Sequence, residues 1–250
     1  FADFVGRKKY LYDDNGHGTH VAGIIAGSGK GSNGKYRGIA PDTFLVSVKV
    51  LDKSGNGKIE NVVEAAGWII ENKSAMNIRV VNISFGTRAK MENGPAIETG
   101  EDDYALIMAV EKMWDSGIVV VAAAGNNGPG NASVTAPGIS KKIITVGAFD
   151  DKNFFSGRGP TRECIVKPEV VVTGSNIIAC NNRQGRYSSK SGTSMAAPVV
   201  SGAVARLIKN NPDITPKEVK IWMKSCCKKI NVPSEKQGWG VLDIRKFVTG

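Results

Sequence analysis

The stretch GIVVVAAAGNNG, residues 117–128, decides the fold. From Ile118 to Ala124 the odd and even positions are alike apolar. A strand built this way has no face to leave in water, so it needs a packed layer on each side. The run ends at Gly125 and Asn126, where a strand of a parallel sheet would finish and where ligands collect. An amide donor at such a strand end can hold an oxyanion. An Asn-Gly step also marks a plain turn, and this stretch taken alone favours that reading.

Similar runs occur at FLVSVKV (44–50), IRVVNISF (78–85) and KIITVGA (142–148). Between them lie stretches with helical spacing. KIENVVEAAGWIIENK (58–73) places Ile59, Val62, Val63, Ala66 and Ile70 on one stripe. DDYALIMAVEKMWDSG (102–117) has acids at its start and a glycine at its end, as helix termini prefer. Two more helices are expected at 192–211 and 215–227, the second with Thr215 as N-cap and Pro216 in its first position. Alternating strands and helices predict an α/β fold: three α/β/α layers around a mostly parallel central sheet. The 250 residues, 41% of them apolar, suit one domain over 1–250 rather than two.

The net charge is +10, but the basic residues are scattered and no nucleic-acid motif occurs, so no nucleic-acid partner is expected. No signal peptide or long apolar run is present, and no membrane partner is expected. Cys164, Cys180, Cys226 and Cys227 lack a metal-type spacing and read as free thiols, which favours a reducing, cytoplasmic setting over a secreted one. The glycine-rich segment 27–38 reads as a surface loop without phosphate-loop spacing.

SGTSMAAP (191–198) sets Ser194 among small residues at a helix start. Little covers its hydroxyl, and free N–H groups there favour a developing anion. Pro198, four residues on, is expected still in the first turn, where a missing N–H loses little. Ser194 as a simple helix cap is the alternative. GHGTH (16–20) holds both histidines of the chain, His17 and His20. Two histidines without a third do not make a zinc site, so no metal or cofactor is expected. A general base is the other reading, with a buried structural histidine as the bland one.

Taken together, the motifs resemble those of the subtilisin-like serine proteases (subtilases). HGTHVAGIIAG is similar to the family's histidine motif, GTSMAAP to its nucleophile motif, and NISFG (82–86) and AAAGNNG (122–128) to its substrate strand and oxyanion asparagine. VGAFD (146–150), FSGRGP (155–160) and GWGVLDIRKFV (238–248) also sit in the family's order. The resemblance spans essentially the whole chain. It implies peptide-bond hydrolysis through an acyl-enzyme, with protein or peptide substrates. Ser194 would be the nucleophile, His17 the base and Asn126 the oxyanion donor. Substrate would lie extended along Ser84, Phe85 and Gly86, with Ala124 and Gly125 nearby, and Gly86 leaving room for its approach. His20 would be structural.

One part of the pattern is absent. The family's aspartate stands at the end of a central strand, followed by Ser or Thr and Gly, well before the histidine. Only sixteen residues precede His17, and Asp3, Asp13 and Asp14 lack that setting. The expectation is that the aspartate-bearing segment is a missing N-terminal part, supplied in cis or as a separate chain or propeptide. Val172-Thr173-Gly174 stands where the family has Ala-Pro-Gly, and Gly157 where serine is common. A non-catalytic pseudoprotease, or peptide-binding module, is the competing class. An α/β-hydrolase esterase does not fit, because both histidines precede Ser194.

Overall fold

The computed structural model describes residues 1–87, 100–183 and 187–249. In chain order its strands are β1 (Ala2–Asp3), β2 (Val48–Lys49), β3 (Val80–Ile83), β4 (Val119–Ala123), β5 (Ile144–Ala148), β6 (Val170–Val172), β7 (Ile177–Cys180), β8 (Tyr187–Lys190), β9 (Cys227–Lys228) and β10 (Val241–Leu242). The helices are α1 (His17–Ala26), α2 (Ile59–Asn72), α3 (Glu101–Asp115), α4 (Thr193–Asn210), α5 (Pro216–Ser225), α6 (Ser234–Gln237) and α7 (Ile244–Val248). The main sheet has the order β3-β4-β5-β6-β10-β9, parallel except at the β10–β9 edge.

Strand β4 shows why the sheet needs two covers. Val119, Val121 and Ala123 pack with Met195, Val200, Val204 and Leu207 of α4. Val120 and Ala122, pointing the opposite way, pack with Ala66 and Ile69 of α2 and Leu106, Val110 and Met113 of α3. Alternate side chains of one strand therefore feed two cores, and the layers are α/β/α. The helix termini follow local chemistry. The hydroxyl of Thr215 accepts from Glu218 N while the Glu218 carboxylate accepts from Thr215 N, a reciprocal cap, with Pro216 in first position. Three acids, Glu101, Asp102 and Asp103, fill the first turn of α3.

One region departs from the expected continuous strands. Of 44–50 only Val48–Lys49 is paired, and Phe44 is 98% exposed. Strand β2 pairs with β1 in a separate two-stranded sheet. Among the described residues strand β3 pairs only with β4, and Val80, Val81 and Asn82 are half-buried where every residue of β4 is buried. Yet Val48, Val81 and Phe85 pack around one apolar cluster beside α2. Two sheet edges with buried-type sequence thus border the same core, each without a second neighbour among the described residues.

Candidate active site

Ser194 is the second residue of α4, whose N-terminus is set by Gly192 and Thr193. Its hydroxyl donates to the Ser84 carbonyl at 2.9 Å, just past the end of β3. Asn126 lies beyond the end of β4. Its Oδ1 accepts from the Thr193 N–H at 2.9 Å and from the Thr193 hydroxyl at 3.1 Å. Thr193 Oγ1 in turn accepts from Gly125 N at 3.1 Å. Gly125 needs its lack of side chain here. Its φ is +91°, and a Cβ would fall 2.7 Å from Thr135 Oγ1. The carboxyl ends of β3 and β4 and the amino end of α4 therefore form one hydrogen-bonded cluster.

His17 begins α1, which packs against α4 through Val21 and Ile24. The turn before it is organised by Asp13, whose carboxylate accepts from the N–H of Asn15, Gly16 and Thr19 and from the Thr19 hydroxyl at 2.6 Å. Gly16 has φ +93°, and a Cβ there would meet Asn182 Oδ1 at 2.9 Å. Burial holds the His17 pKa below its ordinary value, and the charge of Lys190, four residues before Ser194, lowers it further. Among the described residues no hydrogen bond joins His17 to Ser194, whose hydroxyl is turned to Ser84 O. Among the described residues neither ring nitrogen of His17 has a hydrogen-bond partner. His20 is fully buried, and its Nε2 lies 3.0 Å from the Ser188 carbonyl. A carbonyl only accepts, so Nε2 carries the proton.

A family description, the Subtilase family, matches residues 3–240. The chain belongs to the subtilase family. It is 41% identical over 252 residues to "Serine protease AprX" of Bacillus subtilis (strain 168), covering 90% of this chain and 55% of that protein. It is 35% identical over 221 residues to "Subtilisin DY" of Bacillus licheniformis, covering 88% of this chain and 73% of that one. The chain thus spans about half the length of the first relative. The solved structure of "Sphericase" superposes with a TM-score of 0.81 at 26% identity, over 96% of this chain and 82% of that one.

In this subtilase none of the three N-terminal carboxylates contacts His17. Asp3 accepts from Val5 N, Gly6 N, Lys8 N and the Tyr12 hydroxyl. Burial alone would raise its pKa, but these four bonds outweigh it and bring the value to about 2. Asp13 is committed to the α1 turn, and Asp14 pairs with Lys49 at 2.7 Å.

The residues expected to flank substrate fall into two groups. Ser84, Phe85 and Gly86 follow the open strand β3. Ala124 and Gly125 already use their main chain internally: Ala124 N donates to Val146 O, and Gly125 O accepts from Gly157 N. Gly86 is also crowded on the side its Cβ would take, with Ala136 O and Thr135 Oγ1 each at 2.6 Å. The room it makes there is filled by its own chain.

The sequence reading of Pro198 needs correcting. With α4 starting at Thr193, Pro198 lies past the first turn, and its missing N–H is the one that would have bonded Ser194 O. Asn82, Thr193, Lys190 and Ser201 were not singled out from the sequence. Asn82 carried a signal, standing two residues before Ser84 and so on the same face of the strand.

Proposed function

We propose that the protein is a serine endopeptidase acting through an acyl-enzyme on Ser194. The Ser194 hydroxyl attacks the scissile carbonyl as its proton passes to His17. His17 returns that proton to the leaving amine as the C–N bond breaks, and a water molecule then repeats the sequence to free the acid. Asn126 Nδ2 and the Ser194 N–H would donate to the oxyanion of each tetrahedral intermediate. Protein or peptide substrate would lie extended beside Ser84–Gly86. Family membership is the basis. The observation that carries the assignment is the hydrogen-bonded cluster of Asn126, Thr193, Ser84 and Ser194 at the amino end of α4.

The orienting acid is part of the proposal. A strand lying between β2 and β3 would pair both open edges, cover the cluster of Val48, Val81 and Phe85, and end near the start of α1. An aspartate at its carboxyl end, in the Asp-Ser/Thr-Gly setting of the family, would then face His17. A propeptide is a further partner of the same kind, an extended chain beside the strands.

The test is a fluorophosphonate label with peptide-substrate turnover. Labelling of Ser194, and loss of about 10⁶ in kcat on Ser194→Ala with an unchanged circular dichroism spectrum, are expected; that size is the one measured in a subtilisin. A protein that binds peptides but neither labels nor cleaves is a pseudoprotease, and the proposal fails.

A further inference from the structure

Pro198 takes one hydrogen bond out of α4. In an unbroken helix the N–H of residue 198 would donate to the carbonyl of Ser194. Proline has no N–H, so the Ser194 carbonyl loses its helical partner. The Ser84 hydroxyl stands in for it, donating to Ser194 O at 3.0 Å. That hydroxyl is held in turn. Asn82 Nδ2 donates to Ser84 Oγ at 2.8 Å, and the Ser201 hydroxyl donates to Asn82 Oδ1 at 2.9 Å while lying 3.1 Å from Ala197 O. Ser84 and Ser201 are buried at 7% and 2% exposure, so water competes little for these bonds. Asn82 on β3 and Ser84 just past its end therefore clasp α4 on both sides of its proline, at Ser194 and at Ser201.

We propose that Ser84 and Asn82 are positioning residues for Ser194. Their side chains replace the hydrogen bond that Pro198 removes. In doing so they fix the height of the Ser194 carbonyl, N–H and hydroxyl against Asn126 and the substrate strand. This is separate from any main-chain contact of Ser84 with substrate, which survives loss of its hydroxyl. The inference rests on Ser194 being the nucleophile.

The prediction is a dependence on the proline. In the full-length protein, Ser84→Ala should lower kcat and the rate of fluorophosphonate labelling by about 10- to 100-fold, the range that a misplacement near 1 Å produces, with KM changed less than about threefold. In a Pro198→Ala background the new N–H reaches Ser194 O, and Ser84→Ala should then cost less than about threefold. Asn82→Ala should act in the same direction as Ser84→Ala, and the Ser84→Ala/Asn82→Ala double variant should be no slower than Ser84→Ala alone. This second cycle decides the matter if Pro198→Ala does not fold. A Ser84→Ala variant with a lower Tm but wild-type kcat and labelling would make the network merely structural and overturn the inference. Equal kcat losses in both proline backgrounds, or additive losses for Ser84 and Asn82, would overturn it as well. A wild-type protein that cleaves peptide but is not labelled at Ser194 would instead overturn the nucleophile assignment, and this inference with it.

Discussion

The backbone N–H and the hydroxyl of Thr193 converge on one atom, Asn126 Oδ1. A backbone N–H can only donate, so the oxygen of the Asn126 amide must face it, and the amide orientation is fixed by chemistry. Nδ2 is thereby turned away from these donors, and among the described residues it makes no hydrogen bond.

Asn126→Leu should therefore act on turnover. An oxyanion donor works mainly in the transition state, so kcat should fall by about 10²–10³, the loss known for such an asparagine in a subtilisin, with little change in KM. Steady-state kinetics on a peptide substrate check this. A normal kcat with a raised KM would restrict Asn126 to binding.

Lys190→Gln should move the acid limb of the kcat/KM profile to higher pH. Burial lowers the pKa of His17 first, and the positive charge of Lys190 lowers it again by disfavouring the imidazolium. Removing that charge raises the pKa, so a base that must be neutral becomes inactive at a higher pH than before. Added salt should move the wild-type limb the same way by screening Lys190. A limb that stays fixed in both experiments would separate Lys190 from His17.

Asp3→Asn and Asp14→Asn should each keep kcat within about tenfold of wild type. A triad aspartate changed to asparagine costs about 10⁴, and neither carboxylate touches His17. Asp3 should register in stability instead. Its pKa is depressed to about 2 in the folded state, so its contribution is present above the ordinary value of 3.8 and is lost as pH falls toward 2. Acid unfolding of wild type against Asp3→Asn measures that difference.

Lys167 is completely buried, donating to both oxygens of Glu169 at 2.7 and 2.8 Å and to Thr145 Oγ1 at 3.1 Å. Burial pulls its pKa down to about 8 against the attraction of Glu169. The unfolded chain then holds this proton up to about 10.5 while the folded chain releases it near 8. The group therefore makes stability rise with pH across that window. Lys167→Met should lose this rise. At pH 7 it should cost about 3 kcal/mol, the low end for breaking a buried pair, because Lys220 still reaches Glu169 at 2.9 Å. Denaturant unfolding at pH 7 and pH 10, in a Ser194→Ala background, tests both statements.

Residues 1–250 produced alone should unfold with poor cooperativity and cleave slowly, since among the described residues β2 and β3 each keep one unpaired edge over a shared apolar cluster. Adding a peptide with the family's Asp-Ser/Thr-Gly strand should raise both Tm and turnover. Cooperative melting and full activity without the peptide would show that the acid is already in residues 1–250.

The parts of the fold that the sequence announces are those with long, one-sided or two-sided apolar patterns. Strands β4 and β5 and helices α2 to α5 fall within a few residues of where periodicity puts them. The short strands β6, β7, β8, β9 and β10 escaped, because two to four residues carry too little pattern. Phe44 and Leu45 misled, since an apolar run reads as buried whether or not its neighbours exist. At the candidate site, Ser194, His17 and Asn126 stand out in the sequence because each sits in a motif of small residues. The Ser84–Ser194 exchange was not. It depends on which residue begins α4, and helix starts are the least legible feature of a sequence.

The buried Lys167 cluster lies at the amino ends of β5 and β6, while Asn126 and Ser194 lie where strands finish. The same sheet therefore carries its ionic anchor and the candidate site at opposite rims. Substitutions at the two rims share no partners, so their free-energy effects should sum. A variant library could then be divided by rim, one half selected for resistance to alkali and the other for substrate choice, and the winners recombined without retesting every pair.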